Sequence, residues 1–286
     1  MMAKRGIKRK ITQVKRLSEE KHLLRLRQKI PREMQHIVRL FDSKDHNLHI
    51  KALHAMYPRK MDIRFIPFVK RELFNPHSEV RQKAFFVLAQ GFNYKISKII
   101  DYFTSKDFTR IPLIHKSRGR SPFASYYKKI LKEAMKEKEI DLINAKKEGK
   151  LKEFYEKYYH RGLSVYYINE EDFEAEYYYG KILISKRIPE KFIPVLKEHE
   201  LGEFISHDVG LVLEVNCAIK KGILKDYIDW TKKNLPKSLD ELTYTIKEYF
   251  PEFKKLTPSY EEIKKILKKQ SSILGKQKAR IKLFLA

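Results

Sequence analysis

Two stretches of the sequence, His46-Asn-Leu-His-Ile-Lys-Ala-Leu-His-Ala-Met56 and Ser78-Glu-Val-Arg-Gln-Lys-Ala-Phe-Phe-Val-Leu88, align with each other at a spacing of 32 residues. Apolar residues in both copies recur at the three- and four-residue intervals of an α-helix. Each copy also carries a small residue, Ala52 or Ala84, at the same position, where a second helix can approach closely. A repeat of this length predicts stacked units of paired helices.

A second motif also occurs twice. Phe65-Ile-Pro-Phe-Val-Lys70 returns as Phe192-Ile-Pro-Val-Leu-Lys197, 127 residues later, which is close to four periods of 32. Each copy leads, after a short polar break, into another apolar stretch with helical spacing. Glycine and proline together account for 21 of the 286 residues, a share that favours long helices over a turn-rich β fold. These patterns predict helix pairs over residues 42–105 and 188–235.

The stretch Ser78-Glu-Val-Arg-Gln-Lys-Ala84 resembles the start of the second helix of a HEAT repeat, which typically reads Asp/Ser-x-Val-Arg-x-x-Ala. The resemblance covers residues 42–105 and, in weaker form, residues 188–235, whereas a further unit is hard to place over 106–187. It implies an all-α fold of antiparallel helix pairs, stacked as a short HEAT-like α-solenoid with basic terminal extensions. An ordinary helical domain with two similar hairpins is the alternative.

The expected organisation has three parts. These are a basic N-terminal arm or helix over residues 1–30, a helical HEAT-like domain over 31–256, and a basic C-terminal helix and tail over 257–286. The first part fits three interpretations. It could be an arm that folds on a nucleic acid, a helix docked on the body with its basic face in water, or a cleaved organellar presequence.

Helix start and stop signals place further elements. Ser121-Pro122 predicts the start of a long helix that continues through Lys138 or beyond, because proline is favoured in the first helical turn. Residues 169–184 fit both a helix and a hairpin, and the helical neighbours favour the helix. Gly222 predicts the end of one helix before the next begins.

The charge of the chain is large and uneven. There are 62 Lys and Arg residues against 36 Asp and Glu, a formal net charge of +26. Residues 1–30 hold 11 basic and two acidic residues, 116–138 hold eight and two, and 264–282 hold eight and none. Residues 162–214 reverse the sign, with 11 acids and five bases. A field of this kind attracts polyanions, of which nucleic acid is the commonest. A Lys/Glu-rich surface that keeps the protein in solution is the alternative, but it does not require so large an excess of positive charge.

The loop over residues 115–121 is the sharpest local phosphate-binding feature. Arg118 and Arg120 flank a glycine just before a predicted helix start, where backbone N–H groups and the helix dipole favour an anion. A solvated basic loop is the plainer interpretation. With the two basic ends, the predicted nucleic-acid-binding residues are Lys4, Arg5, Lys8, Arg9, Lys10, Lys15, Arg16, Lys116, Arg118, Arg120, Lys276, Lys278, Arg280 and Lys282.

Acidic residues offer weaker candidates for catalysis. Asp226 and Asp229 are three residues apart beside Trp230, a set that would suit a base-excision pocket, although ion pairs with nearby lysines explain the two acids more simply. The pair His207-Asp208 is similar to the central pair of HD phosphohydrolases, without that family's flanking helices. The sequence therefore names no catalytic residue.

Histidine and tyrosine residues are the candidates for metal ligands and for base stacking. His46, His49 and His54 lie in one predicted helix without a third ligand at a recognised spacing, and a single cysteine excludes Cys-pair zinc sites. Glu203 and His207 are four residues apart on a possible helix. We expect no metal site and no cofactor. The tyrosines clustered between residues 155 and 179 are expected to pack between elements rather than to stack on bases.

Charge and helical pattern together predict a nonenzymatic, nucleic-acid-binding helical-repeat protein that grips the phosphate backbone of DNA or RNA. One alternative is a HEAT-like protein–protein adaptor for an acidic partner. Another is a DNA-repair glycosylase or nuclease on the same scaffold, using Asp208, Asp226 or Asp229. No apolar run approaches the ~20 residues needed to cross a membrane, so no membrane partner is expected. The expected location is cytoplasmic, with the organellar presequence as the alternative.

Overall fold

The computed structural model describes residues 21–56, 62–106, 108, 124–169, 175–178 and 181–269. The chain divides into two compact units, residues 1–117 (unit 1) and residues 118–286 (unit 2). This boundary falls inside residues 31–256, which the sequence suggested as one helical domain. Most of the described residues are helical, as predicted. Among them, none of the helices combines the length and the apolar character that crossing a membrane requires.

Unit 1 is built from short helices. A π-helical turn, Val87–Gly91, directly continues its fifth helix. The helices are α1 (21–29), α2 (Gln35–Phe41), α3 (His46–Ala55), α4 (Ile66–Glu72), α5 (Ser78–Phe86) and α6 (Ile96–Thr104).

The 32-residue repeat corresponds to two helices with the same buried face. The first copy forms α3 and the second forms α5, and these two helices pack against each other. Ala52 and Ala84 are both fully buried, and so are the residues that follow them, Leu53 and Phe85. The repeated pattern therefore records equivalent packing positions, as the sequence predicted.

The repeated Phe-Ile-Pro motif also folds the same way twice. A 3-10 turn ending at Phe65 leads into α4, and a second 3-10 turn ending at Phe192 leads into α9 (Ile193–Glu203). In each case proline lies in the first turn of the helix, where its missing N–H costs no hydrogen bond. Both phenylalanine rings are buried and anchor the start of the helix that follows them.

Unit 2 combines helices with a small sheet. The sheet has the order β1-β2-β4-β3, in which β2 and β4 are parallel and the outer pairs are antiparallel. Its described elements are α7 (Ala124–Glu148), α8 (Leu151–Tyr158), β1 (Tyr159–His160), β2 (Leu163–Ile168), β3 (Ala175–Tyr178), β4 (Lys181–Ser185), α9, α10 (His207–Lys220), α11 (Leu224–Asn234), α12 (Leu239–Tyr249) and α13 (260–269).

The helix favoured over residues 169–184 is wrong and the hairpin alternative is right, because β3 and β4 lie there as an antiparallel pair. The central strand β4 is buried along four of its five residues, which removes the alternation that marks a half-buried strand. Helix α7 covers the sheet through Ala134, which packs against Tyr166 and Leu183. The long helix predicted to continue through Lys138 is confirmed as α7, although its predicted start at Ser121-Pro122 lies outside the described residues.

Helices α9 and α10 form a hairpin and approach each other closely. A Cβ atom added to Gly202 on α9 would lie 2.5 Å from the Cα atom of Gly210 on α10, so only glycine allows this approach. The side chain of Ser206 caps α10 by accepting a hydrogen bond from the backbone N–H of Val209, at 3.2 Å. Helix α10 ends before Gly222, which has a φ of +68°, as predicted from the sequence.

Candidate functional site

The predicted phosphate-binding residues lie outside the described part of the chain. This holds for the basic residues of the N-terminal 20 residues, for the loop with Arg118 and Arg120, and for the C-terminal group from Lys276 to Lys282. The division into units nevertheless shows where the charge resides. Residues 1–117 contain 27 basic and 10 acidic residues, a balance of +17, whereas residues 118–286 contain 35 and 26, a balance of +9. Unit 1 therefore carries most of the net charge in fewer residues.

Helix α1 presents a row of three cations. Lys21, Arg25 and Lys29 are exposed and four residues apart, so they share one face of the helix with a rise of about 6 Å per step. We call these three residues the basic row. None of them is preceded or followed by an acid within α1. The row has the regular spacing that a chain of phosphates can follow.

The C-terminal end of α1 is fixed to unit 1 by hydrogen bonds. The Gln35 side-chain amide donates to the backbone carbonyls of Arg27 and Ile30, at 2.7 and 2.8 Å. The Arg64 guanidinium donates to the carbonyl of Lys29, and Ile30 itself is buried. These donors satisfy carbonyls that a helix end leaves without partners. Residues 21–29 therefore form a helix whose C-terminal end is held against unit 1.

Exposed charge across the described part of unit 1, the basic row included, is predominantly basic. Within the described ranges, ten Lys and Arg side chains are exposed against five acids, Glu33, Asp42, Asp45, Glu79 and Asp101. One of these acids, Asp42, is held by Arg27 in an ion pair. The exposed cations are Lys21, Arg25, Lys29, Arg32, Arg39, Lys44, Lys51, Arg71, Lys95 and Lys98.

The acids considered for catalysis are exposed residues of unit 2. The Lys191 ammonium lies 2.7 Å from the Asp226 carboxylate, and this contact lowers the pKa of Asp226. Asp229 is exposed, and the Trp230 ring packs 5.2 Å from the ring of Phe192. The Trp230 ring therefore has an aromatic packing partner within unit 2.

The tyrosine cluster surrounds a buried lysine. The Lys138 ammonium lies 3.9 Å from the ring centre of Tyr159 and 4.6 Å from that of Tyr166, and it donates a hydrogen bond to the backbone carbonyl of Tyr158 at 3.0 Å. Burial lowers the pKa of Lys138 to about 8. Tyr158 and Tyr166 are buried between α7 and the sheet, which agrees with the packing role expected from the sequence.

A cluster of histidine and glutamate lies where α9 meets α10. His199 is on α9, Glu203 is its last residue, and His207 is the first residue of α10. One possible ligand atom from each residue lies within 4.8 Å of the other two. Glu203 Oε1 is 2.6 Å from His207 Nδ1 and 3.4 Å from His199 Nε2. The two imidazoles thus converge on one carboxylate.

Each imidazole of this His–Glu cluster is oriented by a second carboxylate on its other nitrogen. His199 Nδ1 lies 2.5 Å from Glu214 Oε2, on α10, and His207 Nε2 lies 3.2 Å from Glu241 Oε2, on α12. The Glu214 side chain is buried, whereas Glu241 is exposed. Carboxylates on two helices, α10 and α12, therefore orient the two rings from the outside, while their inner nitrogens are directed at Glu203.

The three carboxylates perturb the titration of both histidines. A hydrogen bond to Glu203 raises the pKa of His207 to about 9, although burial opposes the shift. Burial also opposes charge on His199, but the charge of Glu214 and hydrogen bonds to Glu203 and Glu214 raise its pKa well above the ordinary value. Burial alone would raise the pKa of Glu203, yet hydrogen bonds from both rings hold it far below its usual range. All three shifts favour the charged forms, which are imidazolium for the histidines and carboxylate for Glu203.

The histidines considered as ligands from the sequence have a different arrangement. Both ring nitrogens of His49 are engaged, Nδ1 with Glu72 at 2.7 Å and Nε2 with the backbone carbonyl of Ser43 at 2.8 Å. The sequence pattern singled out Glu203 and His207 but not His199. The signal was nevertheless present, since His199, Glu203 and His207 follow one another at intervals of four residues.

When the chain was compared with protein-family models, with curated proteins and with solved structures, no match was found.

Proposed function

We propose that this protein binds nucleic acid through the phosphate backbone, without reading the base sequence, and that unit 1 supplies most of the electrostatic attraction. The basic row of Lys21, Arg25 and Lys29 carries the proposal, because it is an ordered line of exposed cations on the unit with the larger positive charge. Lys and Arg that neutralise phosphates release condensed counterions, which is the main source of sequence-independent affinity.

The anchoring of α1 supports this function over a merely soluble surface. A cation on a mobile segment loses conformational freedom when it grips a phosphate. The basic row stands on a helix whose final carbonyls are already bound by Gln35 and Arg64, so less freedom remains to be lost. The basic residues of the N-terminal 20 residues directly precede this row in the sequence and would extend the same contact.

We also propose that the helix pairs stack as a short HEAT-like α-solenoid and that they carry the basic surface. Its support is the equivalent burial of Ala52 on α3 and Ala84 on α5, together with the twice-formed Phe-Ile-Pro turn. Stacked helix pairs would present a long surface, which suits an extended polyanion.

The test is the salt dependence of binding. Fluorescence anisotropy with a short DNA duplex and a single-stranded RNA would measure affinity across a salt series for the full chain. For the triple variant Lys21→Gln, Arg25→Gln, Lys29→Gln, we expect weaker binding and, on duplex DNA, a plot of log affinity against log salt that is shallower by about three units.

A charge-matched control separates the basic row from net charge alone. The triple variant Lys220→Gln, Lys221→Gln, Lys225→Gln removes the same charge from exposed positions of unit 2 and should leave the slope nearly unchanged. Equal effects of the two triple variants would remove the basic row from the proposal. If neither DNA nor RNA bound the parent chain at about 50 mM salt, the nucleic-acid function would be wrong and the adaptor for an acidic protein would replace it.

A further inference from the structure

The His–Glu cluster of unit 2 has a geometry that nucleic-acid binding does not explain. Its three inner atoms are His199 Nε2, His207 Nδ1 and an oxygen of Glu203, and they face one another across the junction of α9 and α10. We propose that these three side chains bind one divalent transition-metal ion of the zinc class. This proposal is independent of the nucleic-acid function, because it rests on different residues and a different chemistry.

The distances suit the coordination sphere of zinc. Ligand atoms bound at about 2.0–2.2 Å around a tetrahedral ion lie about 3.4 Å apart. His199 Nε2 and Glu203 Oε1 already have this separation, at 3.4 Å. His207 Nδ1 lies closer to Glu203 Oε1, at 2.6 Å, and needs to move outward by less than about 1 Å to admit an ion. A half-exposed side chain can make that adjustment.

The donor set selects the class of metal. Two imidazole nitrogens with one carboxylate oxygen favour zinc and its transition-metal neighbours, whereas calcium and magnesium prefer ligand sets made of oxygen alone. Three protein ligands leave at least one position of a tetrahedral ion for water or an anion. Solvent can reach this position, because the His207 side chain is 50% exposed and that of Glu203 is 32% exposed.

The outer carboxylates are arranged as they are around histidine ligands. Metal-binding histidines typically donate their other ring N–H to a carboxylate or carbonyl, which fixes the ring and the nitrogen that faces the metal. Here Glu214 occupies that place for His199 and Glu241 occupies it for His207. A chance contact between charged surface residues would not be expected to supply this partner for both rings.

The backbone of the hairpin makes room for the first ring. Gly210 lies beside His199, and a Cβ atom added to Gly210 would lie 3.5 Å from Cε1 of the His199 ring and 3.0 Å from the His199 carbonyl. The close glycine contact between α9 and α10 thus sets the separation at which His199 and His207 can share one ion. Helix α12 completes the arrangement through Glu241.

Zinc titration of the full, untagged chain tests the site. After dialysis against a chelator, isothermal titration with Zn²⁺ should show one ion bound per chain, and Co²⁺ should give the visible absorption of a low-symmetry, nitrogen-ligated site. Glu241→Gln changes an exposed outer residue and should lower zinc affinity about 10–100-fold. His207→Ala and Glu203→Gln remove direct ligands and should lower it further.

Matched controls keep the test specific. Glu248→Gln changes an exposed glutamate on the same helix as Glu241, and His54→Ala changes an exposed histidine of unit 1, so neither should alter zinc affinity. Circular dichroism would establish that each variant is folded. The proposal is wrong if the parent chain binds no zinc, or if His207→Ala and Glu241→Gln bind it as the parent does. The cluster would then be an ion-pair network that joins three helices.

Discussion

At the scale of single residues, the buried pair of His49 and Glu72 links the stability of unit 1 to pH. The hydrogen bond to Glu72 raises the pKa of His49 above 6.5. Burial alone would raise the pKa of Glu72, but its contacts with His49 lower that pKa below 4.5. The contribution of charged His49 to the free energy of unfolding is complete below pH 6.5 and is lost as pH rises through the raised pKa of His49. The glutamate contribution is complete above pH 4.5 and is lost as pH falls. The pair therefore stabilises unit 1 most between about pH 4.5 and 6.5.

The variant His49→Ala measures this contribution. It should lower the free energy of unfolding by about 3 kcal/mol at pH 5.5, because it leaves a buried carboxylate with fewer partners, and by less at pH 9. Urea titrations at the two pH values provide the measurement. His54→Ala, at an exposed position of the same helix, should cost little at either pH. A loss that is the same at both pH values would contradict the ion pair.

A second residue prediction concerns the repeat. Ala84 is fully buried on α5, so Ala84→Glu should destabilise the protein by several kcal/mol, on the order of burying an unpaired charge. Ala55→Glu introduces the same side chain at an exposed alanine of α3 and should cost less than about 1 kcal/mol. Thermal melting of the two variants would compare them. Equal melting temperatures would mean that α5 does not pack as described.

At the scale of elements, the junction of α9 and α10 depends on glycine. In Gly202→Ala the new Cβ would meet backbone atoms of Gly210 at 2.5 and 2.6 Å, and backbone cannot rotate away as a side chain can. We expect a loss of about 3 kcal/mol or more, the upper range for overpacking. Gly222→Ala meets nothing within 4 Å and only strains a left-handed backbone, so it should cost about 1 kcal/mol. Urea unfolding should rank the two variants in this order, and the reverse order would refute the close contact.

The helices could be predicted from the sequence more readily than the strands. The helices of the repeat were predictable because each buries one face, and α3 and α5 repeat the same spacing of buried residues. For β3 and β4 the pattern allowed a hairpin but did not favour it over a helix, because β4 is buried along four of its five residues and its parallel partner β2 is separated from it along the chain. Pairing of this kind depends on tertiary contacts that a local pattern does not contain.

The His–Glu cluster was missed for a related reason. The intervals of four between His199, Glu203 and His207 are those of one continuous helix, yet a turn at residues 204–206 divides them between α9 and α10. Their convergence comes from the glycine contact of the hairpin and from Glu214 and Glu241, which lie far along the sequence. The basic surface, in contrast, could be inferred from composition, because net charge does not depend on how the helices pack.

At the scale of the whole molecule, the open question is whether the positive charge acts as a diffuse field or through specific phosphate contacts. Arg118 and Arg120, in the loop outside the described residues, distinguish the two. If they grip phosphates, Arg118→Ala with Arg120→Ala should weaken binding to all duplex sequences alike and make the salt slope shallower by about two units. The exposed pair Lys254→Ala with Lys255→Ala removes the same charge from a surface with no predicted phosphate contact. A diffuse field would weaken binding equally in both double variants, whereas direct contacts predict a change of slope only for the arginine pair. Anisotropy titrations of the two variants over one salt series decide between these mechanisms.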